Sequence, residues 1–263
     1  MVIDAHAHIY PDKIAKKAVQ SIASFYDMNE MREEGTVSRL LQMGREYGID
    51  KFLVHSVATT PGQVDVITDY IASVIAADPE HFIGFTSSHP ESSNIVQEIE
   101  RALSLGIRGV KLHPDFQKFE IDSPKAFRIY EAIEGRLPVL IHTGDFRTQF
   151  SKPERLLKVI ERFPRLTVIA AHFGGWSEWD KAVDALAGTG IYVDTSSSQY
   201  WLSPEKVREY LDRYGEDFCI FGSDYPMWNV KEELDALSKL FRTDEEREKV
   251  LHGNIERVVG LTI

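Results

Sequence analysis

The chain has 263 residues, 43% of them hydrophobic, one cysteine and a formal net charge of −11. That charge opposes phosphate backbones and anionic lipid, which sets aside nucleic acid and membrane surfaces as partners, and a single thiol, Cys219 in an apolar run, excludes an internal disulfide framework. The length matches one α/β barrel, nothing nears the ~20 apolar residues of a membrane span, and Met1-Val2-Ile3-Asp4-Ala5-His6 lacks the regions of a leader peptide, so a cytoplasmic location is expected.

The first predicted strand, 2–8, carries Asp4-Ala5-His6-Ala7-His8. Strand alternation puts Asp4, His6 and His8 on one inward face. Burying two imidazoles without a partner is costly, so His6 and His8 are expected to share a cation, with Asp4 deeper and orienting a ring. Residues 9–35 follow, far more than the usual two to six or so of a βα loop. They are expected to form an extended loop over the active-site face, serving as a lid or a homodimer contact.

Alternation then sets in. Helix 36–47, with Val37, Leu40, Leu41 and Met43 at helical spacing, precedes strand 51–57, where His55 is expected to be a satisfied core histidine. Helix 64–77, strand 82–87 and helix 95–105 lead to strand 108–113, whose end presents Lys111 and His113 on one face. Helix 124–134 opens at Ser123-Pro124, and strand 138–142 ends in His142. Helix 153–163, strand 167–172 ending in His172, helix 179–187, strand 191–195 and helix 204–214 continue the series. Strand 218–224 ends in Asp224 and is followed by helix 231–241. A last helical stretch, 244–259, is expected to turn at His252-Gly253-Asn254.

Eight strand–helix units in strict alternation predict a parallel sheet with right-handed crossovers, closed as a single (β/α)₈ TIM barrel over residues 1–263. Five strands place an ionisable group at their C-terminal end, where the strands of a barrel converge on one mouth. Imidazoles with a carboxylate suit a divalent metal, Zn²⁺ first and Mn²⁺ or Fe²⁺ as alternatives.

Together these motifs resemble the amidohydrolase superfamily, and more closely its amidohydrolase-2 branch, which holds metal-dependent hydrolases and decarboxylases related to aminocarboxymuconate-semialdehyde decarboxylase. The resemblance runs from Asp4-Ala5-His6-Ala7-His8 through Gly109-Val110-Lys111-Leu112-His113-Pro114, Ile141-His142-Thr143-Gly144 and Ala171-His172-Phe173-Gly174-Gly175 to Gly222-Ser223-Asp224-Tyr225-Pro226 and Gly253-Asn254. It implies metal ligation by His6, His8, His142 and Asp224. His172 is then a catalytic acid/base, or a further ligand in two-metal members, and Lys111 either a charged group facing substrate or a carboxylated bridge. On the residues alone, Lys111 and His113 reach the mouth, His113 either touching substrate or serving as a turn histidine before Pro114. Arg147 either forks onto a substrate carboxylate or pairs with Asp145 or Glu154, while Trp176 and Trp228 either wall the pocket or pack in loops. The expected activity is metal-dependent hydrolysis of a small amide, ester or lactone, Asp224 taking the proton of water and His172 stabilising the oxyanion. Non-oxidative decarboxylation of a small unsaturated or aromatic acid is the alternative.

Overall fold

Runs such as Val139-Leu140-Ile141 and Val168-Ile169-Ala170 are apolar on both faces, the signature of strands covered on both sides. In the computed structural model, which describes residues 1–28 and 31–261, they are parallel neighbours. The strands are β1 (Ile3–His8), β2 (Lys51–His55), β3 (Phe82–Ser87), β4 (Gly109–Leu112), β5 (Val139–Ile141), β6 (Val168–Ala170), β7 (Tyr192–Asp194) and β8 (Cys219–Ile220), hydrogen-bonded in that order. Backbone bonds from Ala5 to Phe221 (3.0 Å) and from His8 to Tyr225 (2.7 Å) close β8 onto β1. The fold is a TIM barrel.

Helices α1 (Asp12–Phe25), α2 (Val37–Tyr47), α3 (Val64–Ala77), α4 (Ile95–Ser104), α5 (Pro114–Gln117) and α6 (Pro124–Ile133) come from the first half. The second half gives α7 (Pro153–Arg162), α8 (Trp179–Leu186), α9 (Pro204–Tyr214), α10 (Val230–Ser238), α11 (Asp244–Glu248) and α12 (Asn254–Val259). Ser123 and Ser203 cap α6 and α9 through their side chains, each ahead of a proline, as the sequence predicts. One core layer lies between strands and helices. A smaller one fills the barrel with Leu53, Phe85, Leu140, Ile169 and Ile220.

Three expectations need correction. Asp4 does not share the face of His6 and His8. It stands opposite Phe52, Ala7 opposite Val54 and His8 opposite His55, so three steps along β1 match two along β2. The bulge breaks the alternation and turns Asp4 to the β8 side, where its carboxylate accepts the Ser223 amide (2.9 Å) and hydroxyl (2.5 Å) and the backbone amide of His6 (3.1 Å). Asp4 therefore ties the barrel seam and orients no imidazole.

The segment 9–35 is not an extended loop. Its greater part is α1, whose Ala15, Val19, Ile22 and Ala23 recur at helical spacing and are buried; residues 29–30 lie outside the described residues. Ile22 packs with Met227 and Trp228, and Tyr26 joins that cluster, so α1 is pinned across the mouth. The turn expected at His252-Gly253-Asn254 is also absent. A π-helical stretch, Lys249–Gly253, carries α11 into α12. Burial of Val250, Leu251, Ile255 and Val259 keeps the segment wound. The wide turn lets Val250 accept the Phe221 amide (2.9 Å) while the Asn254 amide donates to Cys219 (2.7 Å), which completes the short strand β8.

Candidate functional site

The C-terminal rim of the barrel gathers a narrow pocket, with about 10 Å³ of accessible volume, lined by His6, His8, Lys111, His113, His142, His172 and Asp224. Ile22, Tyr26, Phe116, Pro226 and Met227 supply its apolar wall and roof. All seven polar residues are buried.

The strand ends dictate how each group points. β8 stops early because the chain must run against β1: a side chain on Gly222 would come within 2.9 Å of the His6 Cβ. The backbone then passes through a left-handed conformation at Asp224 (φ 60°), turning the carboxylate inward. Its Oδ1 lies 3.3 Å from Nε2 of His6 and 3.4 Å from Nε2 of His8. Its Oδ2 accepts the Ser197 hydroxyl (2.6 Å), whose oxygen accepts the Trp228 indole N–H (2.7 Å). His172, after β6, is likewise left-handed (φ 60°). Its Nε2 lies 3.0 Å from Nδ1 of His142, and its Nδ1 lies 2.9 Å from the Ser196 hydroxyl. Gly144, after β5, has φ 78°, and a side chain there would fall 2.4 Å from the Gly175 carbonyl carbon. Only glycine lets the loops after β5 and β6 meet so closely.

Asp194, at the end of β7, was not singled out from the sequence. It organises the floor of the site. Oδ2 accepts Nδ1–H of His6 (2.8 Å), and Oδ1 accepts the backbone amides of His172 and Ser196 (both 3.0 Å) and the Ser196 hydroxyl (2.5 Å). With its proton committed to Asp194, His6 presents a lone pair at Nε2, 3.0 Å from the Lys111 ammonium. Asp194 follows the same signal as the other site residues, an acidic group ending the apolar strand Tyr192-Val193-Asp194, and could have been found by it.

The expected ligands come together unevenly. Donor atoms of His6, His172 and Asp224 lie within 4.8 Å of one another, as do those of His6, His8 and His55, and those of His113, Asp115 and His142. His142 thus joins the centre through His172. Lys111 and His113 do line the pocket, and His113 is sandwiched between Phe116 (3.8 Å) and His142 (4.0 Å). Arg147 does not line it. Its guanidinium is forked onto Asp145 (2.8 and 3.0 Å) and lies over the rings of Phe25, Tyr26 and Trp176, so the local ion pair is its role in this structure. Trp176 packs edge-on against Tyr26 behind the pocket wall (5.0 Å). Trp228 orders Ser197. His55 faces the barrel beside His8 (4.4 Å between rings) and is not satisfied: neither of its nitrogens has a partner among the described residues.

Burial governs the charges. It lowers His8 and His172 to about 4 and pushes His55, His113 and His142 well down. It lowers Lys111 to about 8 and raises Asp4 and Asp115 to about 6. For Asp224 and Asp194 burial also acts upward, but the imidazoles around them outweigh it and hold both carboxylates below their usual range. A pH dependence of stability follows. Between about 6.5 and 4 the unfolded chain protonates histidines that the fold keeps neutral, so acid destabilises. Asp4, Asp115 and the buried Glu233, raised in the fold, take up protons there and oppose the trend. Five imidazoles outnumber three acids, and the metal-free protein should lose on the order of 1–3 kcal/mol per pH unit across that window. Urea midpoints at pH 6.5, 5.5 and 4.5 measure it; a flat profile would contradict the assignment of neutral buried rings.

A family model described as amidohydrolase matches residues 3–261. No curated protein matches the chain by sequence. Among solved structures, the chain is similar to 5-carboxyvanillate decarboxylase from Sphingomonas paucimobilis (16% identity, 99% of both chains, TM-score 0.76). It is similar to a dihydroxybenzoic acid decarboxylase from Polaromonas with bound manganese and an inhibitor (17% identity, 99% of this chain and 97% of that one, TM-score 0.77). It is also similar to a probable 2-pyrone-4,6-dicarboxylic acid hydrolase from Acinetobacter baumannii (16% identity, 99% of both chains, TM-score 0.71). At these identities the likeness is one of fold. None of the described helices is long and apolar enough to cross a membrane.

Proposed function

Because the chain belongs to the amidohydrolase-2 family, we propose that it is a divalent-metal-dependent hydrolase of small amides, esters or lactones. The donor set fits such an ion. Imidazole nitrogens of His6 and His172 and the Asp224 carboxylate lie within 4.8 Å of one another in a buried pocket, with Nε2 of His8 beside the same carboxylate. His6, His8, His142 and Asp224 would hold the ion, zinc by donor type, with manganese, present in the Polaromonas relative, as the alternative. When bound, the ion would acidify water and polarise a carbonyl.

The observation that carries hydrolysis is Asp224. Its carboxylate is clamped through Ser197 and Trp228, faces the same point as the Nε2 atoms of His6 and His8, and stays ionised in a buried site. The imidazoles that keep it ionised make it a weak base at rest, so it holds a proton only transiently, as a shuttle does. Asp224 takes one from the attacking water and returns it to the departing nitrogen or oxygen. His172, its Nδ1 proton anchored on Ser196, offers Nε2 toward the same space. Lys111 supplies positive charge near the developing oxyanion. Tyr26 and Ile22 on the α1 side roof the pocket and exclude bulk water.

Decarboxylation is the second reading. The decarboxylases among the structural relatives favour it, as does Lys111, a fully buried ammonium suited to a substrate carboxylate. Protein loaded with zinc or manganese should be offered small lactones, esters and amides beside aromatic acids. Ring opening or ester cleavage without carbon dioxide is expected. Carbon dioxide release, with a solvent deuteron fixed at the vacated carbon, would replace hydrolysis by the lyase reading.

A further inference from the structure

Asp115 lies in the first turn of α5, two residues after His113, and is 2% exposed. Its Oδ1 accepts the Thr148 hydroxyl. Its Oδ2 has no hydrogen-bond partner among the described residues; the nearby Ser151 hydroxyl spends its proton on the Gly144 carbonyl (2.8 Å). Nε2 of His142, also buried and without a partner, lies 3.7 Å from that oxygen. Each such group costs about 1–3 kcal/mol when left unpaired. Two complementary ones facing each other are best read as a pair.

The other end of the ring shows what the pair would do. Nδ1 of His142 is 3.0 Å from Nε2 of His172. Nδ1 of His172 is 3.2 Å from the Ser196 carbonyl, which can only accept, so His172 carries its proton there and turns a lone pair toward His142. The tautomer of His142 then decides the matter. With its proton on Nδ1, His142 donates to His172 and neither ring has a free lone pair on that side. With its proton on Nε2, two lone pairs converge, an arrangement that a cation held at Nδ1 of His142 stabilises. A carboxylate at Asp115 accepts only, and selects the second form.

A separate cation held by His113, Asp115 and His142 is the competing explanation, since their donor atoms lie within 4.8 Å. His113 argues against it. Its Nδ1 accepts the Phe116 amide (3.3 Å), so its proton sits on Nε2 and goes to the Tyr26 hydroxyl (3.0 Å). No lone pair remains for an ion.

We propose that Asp115 is a positioning residue. Its carboxylate takes Nε2–H of His142 and thereby presents the lone pair of Nδ1 of His142 to the metal. This rests on the metal reading above. Asp115→Asn tests it, because Thr148 keeps the amide oxygen on its side and leaves the amide NH₂ facing His142, which must then accept at Nε2. Long-range ¹⁵N–¹H spectra of the metal-free protein, with His142 assigned by its loss in His142→Gln, read the tautomer directly. The wild type should show Nε2–H and Asp115→Asn the Nδ1–H form. Calorimetric titration with zinc chloride should find the variant weaker by about 10–100-fold at an unchanged melting profile. An Nδ1–H ring in the wild type, or equal zinc affinity in the two proteins, overturns the proposal. A wild type that shows Nε2–H yet takes up no zinc overturns the metal reading instead.

Discussion

Asp194→Asn should leave a folded protein that binds its metal roughly 10–100-fold more weakly and loses activity by as much as about 10⁴-fold, the scale of a catalytic imidazole forced into the wrong tautomer. Oδ1 receives three donors, two backbone amides and the Ser196 hydroxyl. The amide oxygen of asparagine must take that position, and its NH₂ then faces Nδ1 of His6, where Oδ2 now accepts at 2.8 Å. His6 can answer only by accepting at Nδ1 and moving its proton to Nε2. The lone pair aimed at the pocket disappears without the loss of an atom. Asp194→Ala is a different experiment. It strands three buried donors and the His6 ring, and should cost about 3–5 kcal/mol, as other broken buried pairs do. Chelator competition and urea unfolding on both variants separate the effects. An asparagine variant with wild-type metal affinity would show that the His6 tautomer does not matter.

Much of this was legible in the chain, and the reasons are physical. Apolar strands that end in a single polar residue can be read because the barrel interior rejects that residue anywhere but at the rim. His142, His172 and Asp224 lie just beyond β5, β6 and β8 and line one pocket. Asp194, the acidic end of the apolar strand β7, obeys the same rule. Asp4 departs from expectation: period-2 alternation assumes a regular strand, and nothing in Asp4-Ala5-His6 announces the bulge that turns it to Ser223. The 9–35 segment hid α1 because its lysines dilute the apolar stripe of Ala15, Val19, Ile22 and Ala23. Arg147 illustrates the limit of composition. A guanidinium near a mouth reads equally as a substrate clamp and as a loop ion pair, and only the fork onto Asp145 distinguishes them. Asp115 cannot be read from its own stretch of chain, because its significance lies in His142, which faces it from beyond β5.

Asp224→Asn should lower kcat by about 10²–10⁴-fold, the usual contribution of a general base, while the fold and part of the metal affinity survive. Asparagine is the right probe because the backbone at 224 is left-handed (φ 60°), a conformation that asparagine tolerates and alanine resists. The amide oxygen can still accept the Ser197 hydroxyl, as Oδ2 does at 2.6 Å, or face His6 and His8 in place of Oδ1. It cannot do both, and in neither place can it take a proton from water. Ser197→Ala should fall between wild type and Asp224→Asn, since it frees the carboxylate to rotate while leaving its charge. The ordering of the three proteins matters more than any one value. If Asp224→Asn turned over within threefold of wild type while Ser197→Ala did not, the carboxylate would be a ligand alone. Proton transfer would then pass to His172 or Lys111, pocket-lining groups each 3.0 Å from a ring nitrogen of His142 or His6, and a chemistry that delivers a proton to carbon would fit the site better than one that withdraws it from water.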